Sequence, residues 1–375
     1  MQPDSRTTAR NSDDRSSSPP DWGPACPPLR IAQVAPLYER VPPALYGGTE
    51  RVVSYLTEAL VDRGHSVTLF ASADSRTRAH LVPAVPRALR LDADVHDTLA
   101  PHVLELAQVF DRGGDFDVVH CHVDYLAFPF ADLVVTPTLH TLHGRLDLPH
   151  LRPLFRHFAD VPLVSISHAQ REPLAGLDLN WAGTIHHGVP VERIPLGSGR
   201  GGYLAFLGRI SPEKRVDLAI EVATRVGLPL RIAAKVDPVD RQYFEAEIAP
   251  LLQHPLVEFL GEIGDADKPA FLGDALALLF PIDWPEPFGL AVIESLACGT
   301  PVVARPCGAL PEVLSHGRTG FLASTVEELT AAVRALDRID RAACRHEAET
   351  RFGVERMARD YEAIYARQVS RNRVS

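Results

Sequence analysis

Two carboxylates, Glu286 and Glu294, stand eight residues apart in Leu279–Glu312, which reads LFPIDWPEPFGLAVIESLACGTPVVARPCGALPE. Their surroundings predict a helix that opens at Pro287, where a missing N–H costs nothing. It carries Leu290, Ile293, Leu296 and Ala297 inward and ends at Gly299, since glycine tolerates the left-handed turn that stops a helix. Eight residues of helix rise roughly 12 Å and turn to within about 80° of alignment. Both acids can therefore face one cleft, with the amides of Phe288, Gly289 and Leu290 at its mouth, and free amides at a helix start favour an anion. Such a row suits a long ligand with hydroxyls at each end and a diphosphate between, as in a nucleotide sugar. The alternative is two solvated acids on an amphipathic helix. The flanking Pro-Phe-Gly, the Cys-Gly-Thr-Pro-Val-Val stop and the apolar strand before them (Ala275–Ile282) favour the cleft.

Other groups with chemical uses fall at other strand ends. Tyr203–Lys214 predicts a strand ending at Gly208, then a helix opened by Pro212 and Glu213 that buries Val216, Leu218 and Ile220. Arg209 and Lys214 flank that turn. An arginine binds phosphate bidentately and a lysine as a point charge, so the pair suits a diphosphate; two surface cations at a helix start are the alternative. The chain holds three lysines against 35 arginines, which makes a lysine here informative. Val134–Gly144 brings His140 and His143 to a strand end, where an imidazole can hydrogen-bond a sugar hydroxyl or the reacting centre. The alternative is a buried histidine satisfied by backbone. His120 and His122 are read as alternating along the strand Asp117–His122, so that at most one faces the cleft. With no third ligand nearby they make a weak zinc site. Gly47 and Gly48 lie at the first turn of a strand–helix–strand unit, where bare backbone can approach a ligand.

EPFGLAVIESLACGTPVVA (Glu286–Ala304) closely resembles the donor-site signature of the family 4 retaining glycosyltransferases, whose fold is GT-B. Further pieces in family order, GRISPEK among them, extend the resemblance from about Leu29 to Tyr365. The resemblance implies an α/β chain with two Rossmann-like domains, their parallel sheets facing across a cleft. It implies a hexosyltransferase acting on a nucleotide diphosphate sugar and an acceptor hydroxyl, with neither metal nor cofactor required. It assigns Arg209 and Lys214 to the donor phosphates, Glu286 to donor-sugar hydroxyls and Glu294 to the ribose diol. Phe288, Gly289 and Leu290 complete the donor contacts, and Gly47 and Gly48 meet the diphosphate from the opposite wall. Counting from Pro137, the family's strand-end histidine falls on His143, with His140 its neighbour. His143, Glu286, Arg209 and Lys214 are thus the implied catalytic group, and Glu262 and Ile263 are candidates near the base. Two positions depart from the pattern: His187 replaces the usual Asn before Gly-Val, a position that belongs mainly to a turn, and Lys235 replaces a glycine-rich turn.

The elements that must place these groups are a run of buried strands alternating with helices. Expected strands are Leu29–Leu37, Ser66–Ala71, Asp117–His122, Val161–Ser167 and Thr184–Pro190, then Tyr203–Gly208, Leu228–Val236, Val257–Ile263, Ala275–Ile282 and Pro301–Ala304. A helix is expected over Arg241–Leu252. The chain divides into a disordered tail (1–28), an acceptor-side domain (29–193), a linker (194–202), a nucleotide-sugar domain (203–352) and a last helix that packs back on the first domain (353–375). Gly197–Gly202 spells a dinucleotide fingerprint but precedes its strand instead of following it, so it reads as a flexible linker.

Net charge is −10 with no basic stripe, which argues against a nucleic-acid partner. Five scattered cysteines and no apolar run of membrane length suggest reduced thiols and a cytoplasmic protein without an integral membrane segment. The rival readings are a nucleotide-sugar epimerase, a pyridoxal-dependent phosphorylase-like enzyme, or a non-catalytic nucleotide-sugar-binding protein on the same fold.

Overall fold

The computed structural model describes residues 27–92 and 94–372; most of the expected tail, and Cys26, lie outside them. Two wholly parallel sheets carry the chain. The first has seven strands: β1 (Arg30–Val34), β2 (Ser66–Ser72), β3 (His80–Val85), β4 (Val118–Cys121), β5 (Thr138–Thr141), β6 (Leu163–Ser165) and β7 (Trp181–Thr184), in the order β3-β2-β1-β4-β5-β6-β7. The second has six: β8 (Leu204–Ile210), β9 (Leu230–Val236), β10 (Val257–Gly261), β11 (Ala277–Phe280), β12 (Val302–Ala304) and β13 (Gly320–Leu322), in the order β10-β9-β8-β11-β12-β13. Helices cover both faces, so strands such as Val118–Cys121 and Ala277–Phe280 are buried throughout, the latter as an unbroken apolar run.

In each sheet the winding reverses once, between β1 and β4 and between β8 and β11. Ligands bind outside the carboxyl ends of strands at such points, and these two switch points face one another.

The last helix, Val354–Asn372, crosses back to the first sheet. Its Met357, Ala358, Tyr361, Ile364 and Tyr365 pack with Ile31, Val52, Leu56 and Leu60. Glu362 accepts from Arg63 Nε at 2.6 Å and pairs with His65 Nε2 at 2.9 Å. A second strap is Glu312, on the carboxy-terminal side. Its carboxylate accepts from the amides of His168 (2.9 Å) and Ala169 (2.6 Å) and from His186 (3.2 Å). Burial opposes its charge, but those bonds hold the Glu312 carboxyl down at about 2.

Several boundaries differ from expectation. The helix after β11 opens at Leu290, because Gly289 takes φ 95° as its cap and Pro287 stays in the loop. Glu286 is therefore not a helical residue and Glu294 lies about one turn in. β8 runs on to Ile210, so Arg209 belongs to the strand, and Arg215 rather than Pro212 precedes the long helix Val216–Val226. β7 ends at Thr184, where the sequence predicted a strand to begin. The helix expected over Arg241–Leu252 is regular only to Tyr243, continues as a wider turn over Phe244–Ile248 and breaks before a short turn at Leu251–Gln253. Residues 197–202 do not hang free: the amides of Gly197, Gly199 and Gly201 donate to Cys298, Gly273 and Asp274. Gly197 lies so close to Gly273 that a Cβ would collide with its backbone.

Candidate functional site

A cavity of about 790 Å³ opens between the two switch points. Every residue that the resemblance assigned to the site lines it: Gly47, Gly48, His143, Arg209, Lys214, Glu286, Phe288, Gly289, Leu290 and Glu294, with Glu262 and Ile263 besides.

On the carboxy-terminal wall, Arg209 leaves the end of β8 and pairs with Glu213 at 2.8 Å and Asp240 at 3.4 Å. Lys214 sits in the turn Pro212–Lys214 and donates to Glu286 Oε2. That same oxygen takes the indole N–H of Trp284 at 2.9 Å. Glu286 has a pinned backbone: its carbonyl accepts Ala309 N at 2.9 Å, and Gly308, at φ 56°, lies against it with no room for a Cβ. Only glycine fits that approach without strain. Beyond it, the amides of Phe288, Gly289 and Leu290 have no hydrogen-bond partner among the described residues, while Val292 N bonds Gly289 O at 3.0 Å. The ring of Phe288 points away into the core, edge-on to His187 at 4.9 Å, so that residue offers the cavity its backbone. Glu294, nearly buried, pairs with Lys268 at 3.1 Å; Lys268 also meets Asp265 at 3.2 Å, and Asp265 reaches Arg51 on the opposite wall. Lys235, whose consequence the sequence left unexplained, lies 5.7 Å from the ring of Tyr46 across the cleft.

A cluster of imidazoles occupies the strand ends of the amino-terminal wall. His143 Nε2 is 2.9 Å from His122 Nδ1, and His122 Nε2 is 2.7 Å from Gln33 Oε1. Gln33 Nε2 donates to the Tyr365 hydroxyl at 3.1 Å, which meets His120 Nδ1 at 2.7 Å. Burial drives His122 and His120 well below the ordinary histidine range and takes His140 and His143 down to about 3. Their rings are therefore neutral, with one donor and one acceptor nitrogen each. His122 must donate from Nε2 to the Gln33 carbonyl, so its Nδ1 accepts and His143 Nε2 carries the proton. His143 Nδ1 is left as a buried acceptor without a partner among the described residues. Asp124 holds the loop beneath, accepting the amides of His143 (2.9 Å) and Gly144 (3.4 Å).

His120 and His122 do not alternate between the faces of the sheet. Residues two apart share a face of a strand, and their ring centroids are 4.0 Å apart. Only His122 lines the cavity; His120 is spent on Tyr365 and Thr141. His140 is buried edge-on to Phe128 and faces no cleft. Among the described residues no three metal-ligating side chains are grouped to hold an ion. Sequence reasoning missed Trp284, Lys268 and the part played by His187, which stacks on His143 at 5.2 Å and 17°. It also missed Glu50, in the first turn of the helix Gly48–Asp62, whose carboxyl burial lifts to about 7. The Tyr-Gly-Gly-Thr-Glu run carried that signal.

Comparison with known proteins follows the same division. The family model described as Glycosyltransferase Family 4 matches residues 46–193, and that described as Glycosyl transferases group 1 matches residues 193–350. The phosphatidyl-myo-inositol mannosyltransferase of Mycobacterium leprae is 27% identical over 92% of this chain and 96% of its own. The glycogen synthase of Mycobacterium tuberculosis is 29% identical over 89% and 91%. Among solved structures, AviGT4, a glycosyltransferase involved in avilamycin A biosynthesis, superposes with TM-score 0.69 at 26% identity, covering 92% of this chain and 98% of that one. The fold is GT-B, and the chain belongs to the family 4, group 1 glycosyltransferases.

Proposed function

We propose that the enzyme moves a hexosyl group, with retention, from a nucleoside diphosphate sugar to an acceptor hydroxyl. One observation carries the reading: Arg209, Lys214, Glu286 and Glu294 line the same cavity as three unpartnered amides ahead of a helix. In this reading the amides, Arg209 and Lys214 take the diphosphate, Glu294 the ribose diol, and Glu286 the hydroxyls of the donor sugar. His143 lines the cavity beside the reacting carbon. A mannosyltransferase among the relatives supports a hexosyl donor.

Chemistry follows from where charge grows. The bond between the anomeric carbon and the diphosphate oxygen breaks, and negative charge gathers on the leaving diphosphate. Fixed cations and amides at that place stabilise the transition state without reorganising. The acceptor oxygen bonds the anomeric carbon on the face the diphosphate leaves, and its proton passes to a diphosphate oxygen. The products are a glycoside and a nucleoside diphosphate. No carboxylate nucleophile takes part, so the carboxylate-pair geometry of glycoside hydrolases does not apply, and two cations serve the diphosphate without a metal.

Thermal-shift screening against UDP-, GDP- and ADP-linked hexoses tests the donor, since a ligand of the native state raises the melting point by mass action. Product anomers read by proton NMR test retention. A panel in which no nucleotide sugar shifts melting or turns over sinks the proposal; an inverted anomer sinks the mechanism; donor epimerised without an acceptor favours an epimerase.

A further inference from the structure

We propose that Trp284 is a positioning residue that decides which oxygen of Glu286 meets the donor sugar; the inference rests on reading the cavity as a nucleotide-sugar site. Glu286 Oε2 receives two donors, the Lys214 ammonium and the Trp284 indole N–H, the latter at 2.9 Å. Oε1 has no partner among the described residues and is the oxygen free for a ligand hydroxyl.

The two donors are not equivalent. An ammonium carries three rotatable donors on a flexible stem and follows charge, so a bound diphosphate competes for Lys214. An indole has one N–H in a rigid ring. The torsion that turns a carboxylate is broad and two-fold, and a fixed second donor removes that freedom. Trp284 is itself held. The amide of Glu286 bonds the Trp284 carbonyl at 2.8 Å, a tight turn that brings the two side chains together. The ring face takes Lys214 at 5.2 Å and, from the opposite wall, Arg145 at 5.6 Å. Cations over an indole face are attracted by its quadrupole, so one side chain presents its face to both walls and its edge to the acid.

Removing only the N–H should leave Glu286 in place but free to turn, which harms the transition state more than donor binding. The experiment replaces Trp284 with benzothienylalanine, an isostere lacking the N–H, beside Trp284→Phe. The expected result is a fall in kcat of about tenfold or more with donor KM within about threefold of the parent. In protein labelled at tryptophan, the indole N–H resonance missing from Trp284→Phe should move in Glu286→Gln. An isostere with parental kcat, a rise in KM alone, or a resonance that ignores Glu286→Gln overturns the inference. A parent that neither binds nor uses any nucleotide sugar overturns the proposed function instead, and the resonance arm still judges the contact.

Discussion

On one wall of the cleft the polar groups grouped at the strand ends are imidazoles that burial keeps neutral, His102, His122, His143 and His187, with Arg51, Arg90 and Arg145 around them. On the other they are full charges held in pairs, Arg209 with Glu213, Lys214 with Glu286 and Lys268 with Glu294. Both walls arise from the same kind of unit, a parallel sheet at its switch point, so the fold does not dictate the contrast. The charged wall can exchange partners: each cation already faces a carboxylate, and an arriving dianion finds its counter-charges in place. The imidazole group cannot exchange charge and offers direction instead, through the chain of bonds that fixes the tautomer of His143.

The sharpest way to break that contrast is to remove the charges. Arg209→Ala with Lys214→Ala should lower kcat/KM by about 3–6 kcal/mol, or two to four orders of magnitude, one charge-assisted bond each. Activity within about tenfold of the parent would place the diphosphate elsewhere. The two acids should then separate. Glu286→Ala is expected to cut kcat about a hundredfold, whereas Glu294→Ala should raise donor KM about tenfold and leave kcat nearly intact; steady-state kinetics in the saturating donor reads both. A smaller loss, about tenfold in kcat, is expected for His143→Phe. Because burial holds His143 near 3, its titration should give the parent's pH profile no limb between about pH 5 and 8.

The imidazole group also has a thermodynamic signature. An imidazole whose folded pKa lies below its unfolded value stabilises fully above about pH 6.5, and that contribution is lost as pH falls toward the folded value. His120, His122, His140, His143 and His187 all act in this sense. Glu50 and Glu105, raised by burial, bind protons in the fold and offset part of it. Each uncompensated histidine costs about 1.4 kcal/mol per pH unit below its unfolded pKa. Denaturant titrations between pH 7 and 5 should show stability falling with acid; a flat profile would mean the rings are already charged.

Much of this was legible because it is local. Apolar runs marked the central strands of both sheets but not β3, β7 or β13, and Glu286, Glu294, Arg209 and Lys214 stood out by chemical type beside strand ends. The remainder depends on pairings that leave no mark in a linear pattern. His122 meets His143 across 21 residues, Lys268 meets Glu294 across 26, and Gln33 reaches Tyr365 across 332. Trp284 drew no reading of its own in the sequence because its N–H has meaning only once Glu286 turns back beside it. Pro287 suggested a helix start on propensity, but the left-handed Gly289 two residues on set the boundary. At His187 a turn residue was expected to matter little, yet packing put its ring against His143.

The crossing of Val354–Asn372 onto the first sheet makes the order of synthesis matter. A ribosome that has finished every strand of the amino-terminal half still holds a half-built core, its Ile31, Leu56 and Leu60 surface waiting for a segment some three hundred residues downstream. Nascent chains cut short before residue 354 should be sticky and short-lived, and neither half is expected to mature without the other.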